Sequence, residues 1–327
     1  MGKWSIPAMG EYTEADGLVK IPCTSDHLFT GQKEGVDAVY ATGDGKVELV
    51  VFENHTLAHV KSSLGYPAYY PVKPVQADCP VKAVLMDLDG TTVKSEEFWI
   101  DIIRQSVQSL LREKNFAFEA EDIPFVSGHS VSEHLQYCVS KYCPGKTLED
   151  ARAYYFEHTR REMDAILKHG KKGAFTPADG VKDFLLWMKG RGIKIGLVTS
   201  GLYEKAYPEI LSAFRELGLG DPAEFYDSII TAGSRLGQGQ AGTLGELEAK
   251  PHPWLYAESA AVGLGTAESG AVIGIEDSGA GVCSVRLAGY FTVGIAGGNI
   301  LQSGTKAFCN SYCDTFFGIK RLIKERG

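Results

Sequence analysis

The chain has 327 residues, 44% of them hydrophobic and 23% charged, the balance of an ordinary folded protein with enough length for about two domains and a sizeable core. Its net charge of −8 argues against a general nucleic-acid or membrane-surface binder, so an anionic ligand would need a local counter-charge. The opening stretch MGKWSIPAMGEY has no apolar signal core, and no run approaches the length of a membrane span, so a cytoplasmic location is expected.

Residues 1–75 read as a strand-rich N-terminal domain: GLVKI, then VDAVYAT, a GDG turn and KVELVVFE, the last pair a hairpin. His55 and His59 would share a face, and hold a metal, only if that stretch were helical. The proline- and tyrosine-rich YPAYYPVKPVQADCP then reads as an extended linker to about residue 80, because each proline biases its predecessor away from helix. Self-association through this region, giving a homodimer, is one reading of it, and packing against the rest of the chain is another.

From residue 80 the pattern changes. VKAVLMDLD is a short apolar strand, followed by helical periodicity over SEEFWIDIIRQSVQSLLREKN, SVSEHLQYCVSKYC and TLEDARAYYFEHTRREMDAILKHG. Strands return at KIGLVTS, DSIITAG, AVIGIEDS and FTVGIAG, with helices expected at GVKDFLLWMKGRG, YPEILSAFRELG and PHPWLYAESAAVG. Strands alternating with helices predict an α/β fold, a doubly wound parallel sheet. The expected layout is a core of residues 80–93 and 181–327 interrupted by a helical cap at 94–180. The seven cysteines show no CxxC spacing, so the pairs Cys138/Cys143 and Cys309/Cys313 are expected to be small apolar side chains rather than zinc ligands or disulfides.

In such a sheet, ligands sit at the carboxyl ends of the strands. Polar clusters fall there: Asp87 and Asp89 after VLM, Thr199 and Ser200 after GLV, and Glu276 and Asp277 after VIGI, with Lys250 opening a helix at KPHPW. Two carboxylates so close repel unless a cation or hydrogen-bond donors compensate. Taken singly, Thr199 is an N-cap, Lys250 a surface lysine and Glu276-Asp277 a helix cap. Together they converge on a hard cation and phosphate oxygens.

Asp87-Leu88-Asp89-Gly90-Thr91, Thr199, Lys250 and Glu276-Asp277 resemble, in order and setting, the four motifs of the haloacid dehalogenase superfamily. GIEDSGAGV and the helical insert resemble its branch with a helical cap, which includes phosphoglycolate-phosphatase-like and β-phosphoglucomutase-like proteins. The resemblance implies a Rossmann-like core and a Mg²⁺-dependent phosphatase acting on a small phosphorylated metabolite, a sugar or polyol phosphate. It implies Asp87 as nucleophile, forming an aspartyl phosphate, and Asp89 as general acid and base. Mg²⁺ would be held by Asp87, Asp277 and the Asp89 carbonyl, with Glu276 assisting. Thr199 and Lys250 would bind the phosphoryl group, alongside Ser200, Gly201 and the backbone N–H groups at Gly90 and Thr91.

Departures from the family pattern narrow the choice. The second aspartate disfavours carbon–halogen hydrolysis. Trp99 stands where β-phosphoglucomutase-like members carry a histidine, which favours a phosphatase over a mutase. Phosphonate hydrolysis would need a Schiff-base lysine in the cap, where Lys141 and Lys168 read as solvated helix residues. In the cap, FVSGHS resembles a substrate-facing loop with His129 as a contact, and SGLYEK could bring Tyr203 or Lys205 near the substrate. Residues 233–249 read as a glycine-rich loop, either a gate or a tolerated insertion. A regulatory protein built on a phosphatase scaffold is the alternative of another class.

Overall fold

A computed structural model of the chain describes residues 3–21, 35–61, 67–75, 79–126, 131–232, 248–266 and 268–326. The chain begins with a small antiparallel pair, β1 (Trp4–Ile6) and β2 (Gly10–Tyr12). A five-stranded antiparallel meander follows: β3 (Val19–Ile21), β4 (Val36–Ala41), β5 (Val47–Phe52), β6 (Thr56–Val60) and β7 (Ala68–Pro71), each beside its neighbour in sequence. Between β4 and β5 the GDG turn closes as expected, with the Thr42 N–H donating to Val47 O at 2.9 Å and Gly45 at a φ of 67°.

One expectation for this region needs correction. Residues 68–71 are a strand rather than part of a linker. Pro71 is tolerated because β7 lies at the sheet edge and a missing N–H there costs no ladder bond. His59 lies in β6, so the helical condition for a shared His55–His59 face is not met. Instead His59 stands directly across from Glu48 on β5, and its Nδ1 pairs with that carboxylate at 3.1 Å.

The sheet that carries the motifs starts with β8 (Ala83–Asp87). The chain leaves through β9 (Val93–Lys94) into α1 (Glu96–Leu111), α2 (Val131–Tyr142) and α3 (Leu148–His169), and returns along β10 (Thr176–Pro177), antiparallel to β9. It continues through α4 (Val181–Lys189), β11 (Lys194–Val198), α5 (Tyr203–Leu217), α6 (Pro222–Phe225), β12 (Ser228–Ile230) and α7 (Trp254–Glu258). It ends with β13 (Val272–Glu276), α8 (Gly279–Leu287), β14 (Phe291–Ile295), β15 (Ser311–Cys313) and α9 (Phe316–Glu325). Six parallel strands form one sheet in the order β12-β11-β8-β13-β14-β15. Every residue of β8, β13 and β14 is buried, as expected of parallel strands covered on both faces. The central position of β8, between β11 and β13, puts three motif-bearing strand ends side by side, at the point where strand order reverses.

The chain divides into two compact units. The first comprises residues 1–92, 178–206 and 221–327, so the N-terminal strands, expected as a domain of their own, cluster with the parallel sheet. The cause is a shared core. Val47, Leu49 and Val51 of β5 and Ala58 and Val60 of β6 alternate onto one face and pack with Val282, Cys283 and Leu287 of α8, together with Ile300 and Phe308. Arg286, almost fully buried, donates to the carbonyls of Lys73 and Ala8, and Tyr12 donates to Ala307 O at 3.1 Å.

The second unit, residues 93–177 and 207–220, is helical. Ile102, Ile103, Val107, Leu135, Cys138 and Tyr155 form its core, and a capping box between Thr147 and Asp150 starts α3. Cys138 and Cys143 are free thiols inside this core, and burial pushes the Cys138 thiol up to about 12. Lys141 is not simply solvated: it pairs with the buried carboxylate of Asp122 at 2.7 Å, which also accepts from the hydroxyls of Tyr137 and Tyr142. Among the described residues no helix is long and apolar enough to cross a membrane.

Candidate active site

Asp87 is the last residue of β8 and is buried. The turn behind it is closed locally, with the Thr92 hydroxyl donating to Asp87 O at 2.5 Å and the Thr92 N–H to Leu88 O at 3.0 Å. Gly90 takes a φ of 85°, and a Cβ there would lie 2.1 Å from Asp277 Oδ2. Glycine therefore serves both the turn and the close approach of a second acidic residue. The Thr91 hydroxyl donates to Asp277 Oδ1 at 3.3 Å, tying the first motif to the last.

Glu276 ends β13 and Asp277 follows it, both buried. Neither caps the next helix. Ser278 does, accepting from the Gly281 N–H and donating to Glu276 Oε2, each at 3.1 Å. Glu276 Oε1 accepts from the buried hydroxyl of Tyr256.

Lys250 connects the two acidic strand ends. Its ammonium, almost fully buried, donates to Asp87 Oδ1, to Glu276 Oε1 at 2.6 Å and to Val198 O at 3.3 Å, three acceptors for three N–H bonds. Lys250 does not open a helix. It lies in a turn, and α7 starts only at Trp254, because Pro251 and Pro253 keep the residues before them out of helical backbone.

At the end of β11, Thr199 is buried, and its hydroxyl accepts from the Gly201 N–H at 2.9 Å. The Ser200 hydroxyl accepts from the Lys250 N–H at 3.1 Å, so it fixes the backbone of the lysine. Asp89 is more open than Asp87 and faces Lys205 Nζ, from the first turn of α5, at 3.9 Å. The structure thus links Asp87, Lys250, Glu276, Asp277 and Thr91 by direct bonds and places Thr199 on the adjacent strand end. His129 and residues 233–247 lie outside the described residues. Tyr256, Ser278 and Thr92 carry no signal in the sequence that would single them out. They act on motif residues through single hydrogen bonds, and no spacing in the sequence announces such bonds.

The electrostatics follow from this crowding. Burial, with the charge of Glu276 added, pushes the Asp87 carboxyl well above its usual range, and Lys250 opposes the shift. The same causes raise Asp277 to about 7. Burial disfavours the Lys250 ammonium, but the Asp87 and Glu276 carboxylates outweigh it and hold the lysine charged.

One carboxylate oxygen from each of Asp87, Glu276 and Asp277 lies within 4.8 Å of the other two. Fully ionised, the three carboxylates would outnumber the one lysine, and their all-oxygen donor set fits a hard divalent cation such as Mg²⁺. Glu276 is already engaged by Lys250, Tyr256 and Ser278, so Asp87 and Asp277 are the better placed direct ligands.

Comparison with known proteins bears on the fold and the family. A search of curated proteins finds no match. Among solved structures, a protein assigned as a β-phosphoglucomutase from Thermotoga maritima superposes with a TM-score of 0.53 at 20% identity, over 75% of this chain and 99% of its own. A predicted phosphoglycolate phosphatase from Haemophilus somnus gives 0.52 at 18% identity, over 74% and 97%. CbbY from Rhodobacter sphaeroides, in complex with phosphate, gives 0.51 at 18%, over 72% and 95%. At these identities the likeness is one of fold. The model of the haloacid dehalogenase-like hydrolases matches residues 81–289, more than half of the sequence, and the chain belongs to that family.

Proposed function

We propose that the protein is a Mg²⁺-dependent phosphatase that hydrolyses a small phosphorylated metabolite, of the sugar or polyol phosphate class, through an aspartyl phosphate. The observation that carries this reading is the buried Asp87 carboxylate at the centre of the sheet, held by Lys250 and flanked by Asp277 and Glu276.

Asp87 attacks phosphorus and the alcohol leaves; water then cleaves the aspartyl phosphate, so one displacement becomes two easier ones. Asp89, the more open carboxylate, protonates the leaving oxygen and then takes a proton from the water. Lys250 and the Thr199 hydroxyl stabilise the charge on the transferring group, together with the N–H groups of the turn at Gly90. Mg²⁺, held by Asp87, Asp277 and the Asp89 carbonyl with Glu276 assisting, would offset the combined charge of the carboxylates and the phosphoryl oxygens.

Two features favour a phosphatase over its relatives. Trp99, at the position of the mutase histidine, packs edge-on against Phe98 at 4.9 Å and beside Phe175, and an indole cannot serve as a base. Lys141 donates first to Asp122 and is held strongly protonated, the wrong state for a Schiff-base nucleophile in phosphonate cleavage. Cytoplasmic residence and a homodimer through the N-terminal region belong to the same proposal, the latter tested by light scattering of the full chain.

Phosphate release from a panel of phosphorylated metabolites, with and without Mg²⁺, tests the activity. Metal-dependent release that vanishes in Asp87→Asn is expected. No release from any compound, by a protein that still binds Mg²⁺, would overturn the reading in favour of a regulatory scaffold.

A further inference from the structure

The segment that carries Lys250 is pinned from three sides. The Lys250 N–H is held by Ser200 Oγ at 3.1 Å, and His252 O accepts from Ser284 Oγ of α8 at 2.5 Å. The third hold comes from the N-terminal sheet. The hydroxyl of Tyr70, on β7, shares a hydrogen bond of 2.8 Å with His252 Nδ1, and its ring meets those of His252 and Trp254 edge-on at 5.8 and 6.1 Å.

His252 is 2% exposed, and its other ring nitrogen has no hydrogen-bond partner among the described residues. The bond to Tyr70 is therefore what fixes the orientation of the imidazole, since a buried polar ring settles where its remaining bond can be made. Tyr70 is itself fixed. β7 pairs with β6, and Arg286 of α8 grips Lys73 O at 2.8 Å, three residues further on. An unbroken path of bonds thus runs from α8 through the edge strand to the residue two positions past Lys250.

We propose that Tyr70 is a positioning residue for Lys250, acting through His252, so that the N-terminal sheet is a working part of the catalytic support. Tyr70 lies outside the family match at residues 81–289, so the role is one this chain adds to its core. The proposal rests on the reading of Lys250 as a phosphoryl-transfer residue. Placement of a charge aimed at the transferring group matters to fractions of an ångström, and slack in its backbone is felt in turnover more than in binding.

The test compares Tyr70→Phe with Tyr69→Phe in the full chain, the latter altering a neighbouring ring that stacks on His59 instead. The first readout, amide exchange of peptides covering 248–256, needs no substrate. Exchange there should accelerate about tenfold in Tyr70→Phe and stay unchanged in Tyr69→Phe. The second readout is kinetic: kcat should fall about tenfold in Tyr70→Phe with KM within about twofold, and adding Tyr70→Phe to His252→Ala should cost nothing more. Unaltered exchange in Tyr70→Phe overturns the proposal whatever the activity, as does faster exchange with unchanged kcat. Faster exchange in a protein that releases no phosphate supports the tie to the Lys250 segment and overturns only the phosphatase reading.

Discussion

The Lys250 ammonium lies 2.6 Å from Glu276 Oε1 while also donating to Asp87, so one side chain joins the carboxyl ends of β13 and β8. It is the buried counter-charge within an acidic cluster. Lys250→Met should destabilise the protein by about 3 kcal/mol, because it leaves buried carboxylates uncompensated. It should also lower kcat by about a thousandfold, the scale of losing a preorganised charge at the reacting group. Added Mg²⁺ should raise the melting temperature of this variant more than that of the wild type, which thermal unfolding with and without the ion will check.

Asp277 titrates at about 7 when no cation is bound, far above the roughly 3.9 of an unfolded aspartate. Between those values the folded state binds the extra proton, so the stability of the metal-free protein falls as pH rises through that window. Metal-free protein should therefore melt higher at about pH 5.5 than at about pH 7.5, and Asp277→Asn should flatten the difference. With Asp277 holding Mg²⁺ as proposed, its carboxyl must lose its proton on binding, so apparent Mg²⁺ affinity should rise with pH through about 7. Calorimetric titration in buffers of different ionisation enthalpy should detect proton release on the acid side only.

A Cβ on Gly281 would lie 1.9 Å from the Glu276 carboxylate carbon, whose oxygens are held by Lys250, Tyr256 and Ser278. The carboxylate has nowhere to swing. Gly281→Ala should cost about 2 kcal/mol of stability, as overpacking does, and most of the activity. Gly145→Ala, where a Cβ meets nothing within 4 Å, is the control and should leave both unchanged.

Arg286 places its buried guanidinium against the carbonyls of Ala8 and Lys73. Arg286→Met keeps much of the volume and removes both bonds, so a loss of about 3 kcal/mol is expected. Limited proteolysis should then cut within the N-terminal strands before it reaches the parallel sheet.

The parallel sheet and its acidic strand ends were legible in the residues because each signal is local. VLMDLDGT and VIGIED are apolar runs that stop at carboxylates, and a strand buried on both faces can carry nothing else along its length. The resemblance to a family added roles for Thr199 and Lys250, whose types alone are commonplace.

The edge strand β7 reads as linker in the sequence, since four residues ending in proline give no periodicity. Its pairing exists only because β6 is beside it. The spacing of His55 and His59 leaves open what His59 faces, and the sheet sets it opposite Glu48. Tyr256, Ser278 and Tyr70 reach Glu276 and His252 by single hydrogen bonds, two of them across long stretches of sequence. The sequence by itself determined which strands are buried and which carboxylates end them, because burial and charge are properties of neighbouring residues. Only the tertiary structure decided which cation they share, what holds it in place and that the N-terminal sheet packs on α8, because those depend on surfaces that meet after folding.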